Sequence, residues 1–393
     1  MEAGSLSKRR VFFYVQHLLG IGHLARASRI AKALGERGFD VTMAMGGLPV
    51  PGFPEAGAKA VALPAVAAGD HGFSGLCDAA GDPVTPAFIE NRKDLLIDAL
   101  RRAEPDVVII EAFPFGRRQM RFELLPLLDA IASMERRPLV ATSLRDILQE
   151  RLKPGRAEET VALVREHFDL VLVHGDPAFA RLEETFPLAG EIADRVVYTG
   201  LVAPPPPVQP SERFDVVVSA GGGAVGKELI AAALAAARLL PDALRWCLVT
   251  GPNLPQGDFD ALSAAAPAGV GLFRFRQDFA SLLAGARLSV SQAGYNTVCD
   301  VLRAGCASLL IPFTAGGETE QSTRAERLER LGLAAVLPEA GITPEDIAHR
   351  VEAMLVRPRP ATPPLDLNGA AQTAMIIEDR LSRDRAIRPF RSA

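Results

Sequence analysis

His23 follows two glycines in QHLLGIGHLARASRIAKAL, Gln16 to Leu34, directly after the apolar run RVFFYV. The chain has only six histidines. This one falls at a strand-to-helix turn, where Gly20 and Gly22 let another group approach the backbone closely. A second strand-turn-helix, DVVVSAGGGAVGKELI, carries Gly221, Gly222, Gly223 and Gly226. Backbone N–H groups at such a turn can approach a phosphate, and the helix dipole favours the anion. The same glycines also serve as plain structural punctuation. The stretch is not a Walker A loop, because Glu228 follows Lys227 where Ser or Thr is needed. A third segment, LSVSQAGYNTVCDVLRAGCASLLIPFTAGGETEQ, ends a strand at Ser291 and makes a sharp turn through Gln292, Gly294, Tyr295 and Asn296. Small and amide residues there offer donors at another helix start. Asp300, one turn further on, could accept two hydrogen bonds from a ribose diol. Glu318, Glu320 and Gln321 leave the next strand with groups that bind sugar hydroxyls. Asp300 and Glu320 would equally suit helix-start acids stabilised by the macrodipole.

The elements that must hold these residues are legible as rhythm. Apolar β-branched runs at 11–15, 40–44, 106–110, 139–142, 170–173 and 196–199 alternate with helix-period segments near 23–37, 88–102, 117–134 and 156–166. Strands apolar throughout imply a parallel sheet covered on both faces. GLVAPPPPVQPSER, with four consecutive prolines, interrupts the rhythm. Strands then follow at 215–219, 245–250, 270–273, 288–290, 307–311 and 334–337. Helices are expected from about 225 and 296, and over 318–331 and 344–356. RPRPATPP precedes a last helix, about 369–383. The expected organisation is α/β: a Rossmann-like domain at 1–203, a linker at 204–212, a second Rossmann-like domain at 213–365, and a terminal helix and tail at 366–393. In such sheets ligands bind outside the carboxyl ends of the strands at the switch point, so a cleft between the two domains is the default site.

Composition excludes some classes. A net charge of −4 gives no footprint for nucleic acid. Cys77, Cys247, Cys299 and Cys306 form no CxxC pair, so reduced thiols in a cytoplasmic protein are expected rather than a zinc site or a disulfide framework. ELIAAALAAARLL is too short and too charged to span a membrane.

The third segment resembles the nucleotide-sugar-binding signature of GT-B glycosyltransferases. It is similar both to family 28, with the lipid-intermediate N-acetylglucosaminyltransferase of peptidoglycan synthesis, and to plant secondary-product glucosyltransferases. The frame falls on Gln292, Gly294, Asn296, Thr297, Asp300, Ala304–Gly305, Pro312–Phe313 and Glu320–Gln321. The likeness is good over the C-terminal half and looser over the first ~40 residues. EAFPFGRR and RFELLPLL are also similar to a group of uncharacterised glycosyltransferases.

The resemblance implies a role for each matched position. Asp300 would bind the ribose. Gln292 and the turn Gly294, Tyr295, Asn296 would hold the diphosphate beside Ser291, helped by Gly221, Gly222 and Gly223. Glu320 and Gln321 would hold the donor sugar, and Phe275, Arg276 and Gln277 in FRFRQDF would flank uracil. Gly20 and Gly22 are counted with the donor contacts. Many members carry His where Gln292 stands, so a neutral phosphate contact replaces an ionic one. In GIGHLARA the resemblance makes His23 the general base for an acceptor hydroxyl, a task that suits a neutral imidazole. Glu111, at the end of DVVIIEAF, would orient it. His17 is a competing base. Arg117, Arg118 and Arg121 could meet an anionic acceptor or form a solvated helix face.

The implied activity is inverting, metal-independent transfer of a sugar from a UDP-linked donor to a hydroxyl acceptor: a sugar, a lipid-linked sugar or a small molecule. No cofactor is implied. The candidate DxD strings do not supply a metal site convincingly: Asp258–Asp260 is expected in a loop, and the one at Asp366 is incomplete. The protein would be cytoplasmic or peripheral at the inner membrane face. Hydrolysis of the nucleotide sugar and binding without turnover are the alternatives.

Overall fold

The computed structural model describes residues 8–18, 20–50, 52–54, 57–69, 72–149, 154–210, 212–221, 226–251, 254–358 and 364–387. Contacts divide the chain into two units: Met1–Asp146, Arg151–Val202 and Asn368–Ala393 form the first, and Ile147–Glu150 and Ala203–Leu367 the second. Among the described residues no helix is long and apolar enough to cross a membrane.

The first unit holds β1 (Arg10–Val15), α1 (Gly22–Glu36), β2 (Asp40–Met45), β3 (Lys59–Ala62), β4 (Ala67–Gly69), β5 (Gly72–Cys77), α2 (Pro86–Ala103), β6 (Val107–Glu111), α3 (Arg121–Ala132), β7 (Leu139–Arg145), α4 (Arg156–His167), β8 (Leu170–His174) and β9 (Val196–Tyr198). Its seven-stranded sheet runs β3-β2-β1-β6-β7-β8-β9, and every pairing is parallel. Val11 to Val15 are buried because helices cover both faces of the sheet. Leu24, Ala27, Ile30, Ala31 and Leu34 make the buried stripe of α1, at the spacing of one helix face. Thr85 caps α2, accepting the Phe88 amide at 3.2 Å, with Pro86 at the first helical position.

The second unit contains β10 (Val216–Ser219), α5 (Lys227–Ala237), β11 (Trp246–Val249), α6 (Gln256–Ala264), β12 (Val270–Phe273), α7 (Phe279–Gly285), β13 (Leu288–Ser291), α8 (Tyr295–Ala304), β14 (Ala307–Leu310), α9 (Glu320–Arg330), β15 (Ala335–Val336) and α10 (Pro344–Leu355). The strand order is β12-β11-β10-β13-β14-β15, again all parallel.

The last helix, α11 (Gly369–Ile387), belongs to the first unit. Ala374 and Ile377 are fully buried in the same core cluster as Leu24, Ile30 and Leu34. Gly369 brings the chain in: its amide donates to Leu201 O at 2.9 Å, and a Cβ there would lie 2.3 Å from Gly200 O. Gly369→Ala is therefore expected to lower stability by about 1–3 kcal/mol, measured as the denaturant midpoint. A midpoint unchanged within error would show that the backbone gives way there.

Several expectations need correction. Arg117 does not join a helix: it is left-handed (φ 57°), and a single 3₁₀ turn, Arg118–Met120, precedes α3. The antiparallel pair β4-β5 and the edge strand β3 carry no strong apolar pattern and were not expected. Nor were the short helices α6 and α7. The first DxD string lies within α6, not in a loop; Lys227 pairs with Asp258 at 2.7 Å, and Asp260 accepts from Gln256.

Candidate functional site

The first unit's strand order reverses direction between β1 and β6, so the segments leaving those strands border the crevice at the carboxyl edge. His23 lies in the first turn of α1, after the segment leaving β1, and Glu111 ends β6. Their contact is direct, His23 Nδ1 to Glu111 Oε1 at 3.0 Å. Glu111 is fully buried and also accepts from the Arg26 guanidinium and, at 2.5 Å, from the Ser143 hydroxyl. Arg26 is three residues past His23, on the same helix face.

Burial alone would raise the Glu111 carboxyl. Arg26 and the hydrogen bonds from His23 and Ser143 outweigh it and hold Glu111 far below the usual carboxylate range. An ionised carboxylate only accepts. The shared proton therefore stays on His23 Nδ1, and Nε2 carries the bare lone pair. Burial, with help from the Arg117 charge, lowers His23 to about 3, so its ring is neutral at physiological pH. Its side chain is 21 % exposed, enough for another molecule to reach it.

A buried cluster steadies the turn below. Arg92 donates to Glu123 at 2.7 Å, to Gly46 O at 2.9 Å and to Gln16 Oε1 at 2.7 Å. Gln16 in turn donates to His17 O at 2.7 Å. His17, the competing base, has its Nε2 at 2.9 Å from Leu48 O and is buried, which fits it to a structural contact. Arg117 donates through Nε to Gln16 O at 2.8 Å, whereas Arg118 and Arg121 both meet Glu159. Ala112 (φ 66°) and Arg117 (φ 57°) are left-handed without being glycine, in the segment that leaves Glu111. That conformation costs about 1–2 kcal/mol per residue and clusters at functional positions. Gly20 and Gly22 lie in this same turn, half-buried beside His23.

In the second unit the reversal falls between β10 and β13, and the polar turns gather at those strands' carboxyl ends. Gly221 follows β10 with φ 74°; Gly222 and Gly223 lie outside the described residues. Gly226, the residue before α5, comes so close to the end of β10 that a Cβ there would lie 1.9 Å from Ala220 Cβ. Gln292 is buried, with its backbone N–H donating to Ser219 O at 3.3 Å. Its Oε1 is the nearest atom to a Cβ built on Gly221, at 3.7 Å. Ser291 is buried, and its hydroxyl has no hydrogen-bond partner among the described residues. Among the described residues no side chain caps the start of α5 or α8.

Asn296 and Asp300 are half-buried on the first turns of α8. Phe275 and Gln277 are exposed in the loop after β12. Arg276, between them, is held by both Asp278 oxygens at 2.8 Å and by Glu212 at 3.0 Å. Gln321 uses its side-chain oxygen to join two loops, accepting from the Ala293 amide at 3.0 Å and the Phe313 amide at 3.2 Å. Glu320 is buried against Arg324, 2.7 Å away, and Arg324 also donates to Ala293 O at 2.9 Å.

Sequence reasoning missed Arg26 and Arg324, although each stands three or four residues after a singled-out residue on the same helix. It also missed Ser143, His174 and Thr199, which end or follow apolar strands.

Two parallel sheets, each with its polar turns at the carboxyl edge around a reversal of strand order, are the GT-B architecture. The crystal structure of CalG4, the calicheamicin glycosyltransferase, aligns at TM-score 0.60 and 18% identity over 97% of this chain and 98% of that one. Acinetobacter baumannii MurG aligns at TM-score 0.58 and 16% identity over 96% and 99%. More particularly, residues 216–373 match the glycosyltransferase family 28 C-terminal domain. In sequence it is 28% identical over 186 residues to the UDP-N-acetylglucosamine–N-acetylmuramyl-(pentapeptide) pyrophosphoryl-undecaprenol N-acetylglucosamine transferase of Brucella anthropi, covering 43% of this chain and 48% of that protein. The chain thus spans about half the length of the curated relatives it matches.

Proposed function

We propose that the protein is a glycosyltransferase that moves a sugar from a nucleoside diphosphate donor, UDP-linked, to a hydroxyl acceptor. The observation that carries this reading is the 3.0 Å His23–Glu111 contact, which leaves Nε2 bare at the edge where the sheet reverses. In the proposed reaction the acceptor hydroxyl gives its proton to His23 Nε2 as its oxygen attacks the anomeric carbon. The bond from that carbon to the diphosphate breaks, and the nucleoside diphosphate leaves. Glu111 stabilises the imidazolium that forms. One displacement inverts the anomeric centre.

The family 28 match over residues 216–373 supports placing the donor in the second unit. There the N-termini of α5 and α8, with Gln292, Ser291 and the Gly294–Asn296 turn, would receive the diphosphate charge without a metal step. Asp300 would take the ribose diol, and Phe275 and Gln277 the base. With its oxygen committed to two amides, Gln321 would reach the donor sugar through its NH₂. Arg276 and Glu320, both held in ion pairs, would shape the site from behind. An acceptor presented at a membrane surface is compatible with this reading.

A panel of UDP-, GDP- and TDP-sugars in thermal-shift assays tests the donor assignment. At 100-fold over Kd a true donor adds about 2.7 kcal/mol of stability. No shift with any of them removes the transferase reading. Nucleotide release from the bound donor, measured with and without added acceptor extract, then separates transfer from hydrolysis.

A further inference from the structure

Behind Glu111 the first sheet carries a row of buried polar side chains that general-base catalysis by a His–Glu pair does not need. Ser143 pairs in register with Glu111 on β7, His174 ends β8 opposite Arg145, and Thr199 follows Tyr198, whose partner is Val173. The register therefore brings four neighbouring strands to one carboxyl edge, with His174 two residues beyond Leu172, the partner of Ser143. All four side chains are at most 1 % exposed. Ser143 Oγ is 2.5 Å from Glu111 Oε2 and 2.9 Å from His174 Nε2, and His174 Nδ1 is 2.8 Å from Thr199 Oγ1.

Proton counting gives the row a direction. Glu111 is ionised and can only accept, so the single Ser143 proton goes to it. Ser143 Oγ must then accept from His174, which places the His174 proton on Nε2. Burial, reinforced by Arg26, keeps that ring neutral, lowered to about 3, so Nδ1 is bare; at 2.8 Å it takes the Thr199 proton ahead of the more distant Gly200 O at 3.0 Å and Val173 O at 3.5 Å. The order is Thr199 to His174 to Ser143 to Glu111, and Glu111 fixes the His23 tautomer from the far side. The charged groups around His23 are Glu111, Arg26 and Arg117; those around His174 are Arg26 and Glu111.

We propose that Ser143, His174 and Thr199 are positioning residues: a one-way hydrogen-bond relay that holds the Glu111 carboxylate in the orientation that keeps His23 Nε2 bare. The relay rests on the proposed transferase function only for its kinetic consequence. Its geometry can be tested without donor or acceptor.

The test is ¹⁵N NMR of the full chain labelled at histidine, at pH 7.5, for wild type, Ser143→Ala and Thr199→Val. In wild type His174 is expected as the Nε2–H tautomer with a slowly exchanging proton, and His23 as the Nδ1–H tautomer. Ser143→Ala should expose the His174 proton to exchange and move the His23 nitrogens towards a tautomer mixture. With an identified donor, kcat should fall about five- to tenfold with little change in KM. Ser143→Thr, which keeps the hydroxyl, should restore the His23 pattern; a packing role would not follow the hydroxyl in this way. If Ser143→Ala does not fold, Thr199→Val decides, because it removes one hydroxyl at constant volume and should shift only the His174 Nδ1 resonance. A His174 proton on Nδ1, an unchanged His23 pattern in Ser143→Ala, or an unchanged Nδ1 shift in Thr199→Val overturns the relay. None of these outcomes bears on whether the protein moves a sugar.

Discussion

His23→Ala is expected to lower turnover by about 10²–10⁴-fold, the usual worth of a positioned general base. Donor binding, read by thermal shift, should be unchanged, because the proposed donor contacts lie in the second unit. The separation matters more than the loss: a residue that merely shaped the fold would reduce both. Glu111→Gln is the companion variant. Its amide can donate where the carboxylate only accepts, so the His23 proton moves to Nε2 and the lone pair turns inward, with a comparable loss. Because burial and Arg117 lower His23 to about 3, the acid limb of kcat/KM should lie well below pH 6.5. Undiminished turnover of His23→Ala would end the assignment of this histidine as the base.

Acid should also loosen the fold itself. His174 and His23 are both lowered to about 3 in the native state, mainly by burial, against 6.5 for a free imidazole. Below 6.5 the unfolded chain takes up protons that the native rings refuse, so the stability these rings confer is complete above that pH and is lost as pH falls towards 3. Each fully shifted ring costs about 1.4 kcal/mol per pH unit in that window. His174, sealed from water, contributes the full amount; His23, 21 % exposed, contributes less. Between pH 7.5 and 4.5 the unfolding free energy is expected to drop by about 3–5 kcal/mol. Chemical denaturation across that range measures it, and His174→Gln, which cannot charge, should flatten the slope. A flat wild-type profile would mean that both rings are protonated at no cost.

The sheets were legible because their strands are apolar throughout, and that pattern survives without knowledge of what covers them. The glycine turns and the residues beside them were legible because a strand running into glycine and then a helix start is a local signal. Ser143, His174 and Thr199 were not, since each sits alone at the end of an unremarkable apolar run. Only the register of β6 to β9 brings them together, and register is a long-range property. Glu320 and Gln321 stand out in the sequence, but their contacts could not be foreseen, because those depend on Arg324 and on two loop amides supplied by other elements. The short helices α6 and α7 escaped for the opposite reason: nine and seven residues give too few turns for a periodicity to emerge.

The placement of α11 has a consequence for how the molecule comes into being. The first unit takes its final core residues, Ala374 and Ile377, from a helix made more than 160 positions after Val202, where its earlier segments end. During synthesis at about 5–20 residues per second the nascent first sheet must wait for the whole second unit to emerge, with the apolar stripe of α1 partly uncovered. A second unit that folds promptly would shorten that vulnerable interval, whereas a slow one would leave the ribosome holding a sticky, half-built partner. The folding speed of residues 203–367 thus matters most to the half of the protein that does not contain them.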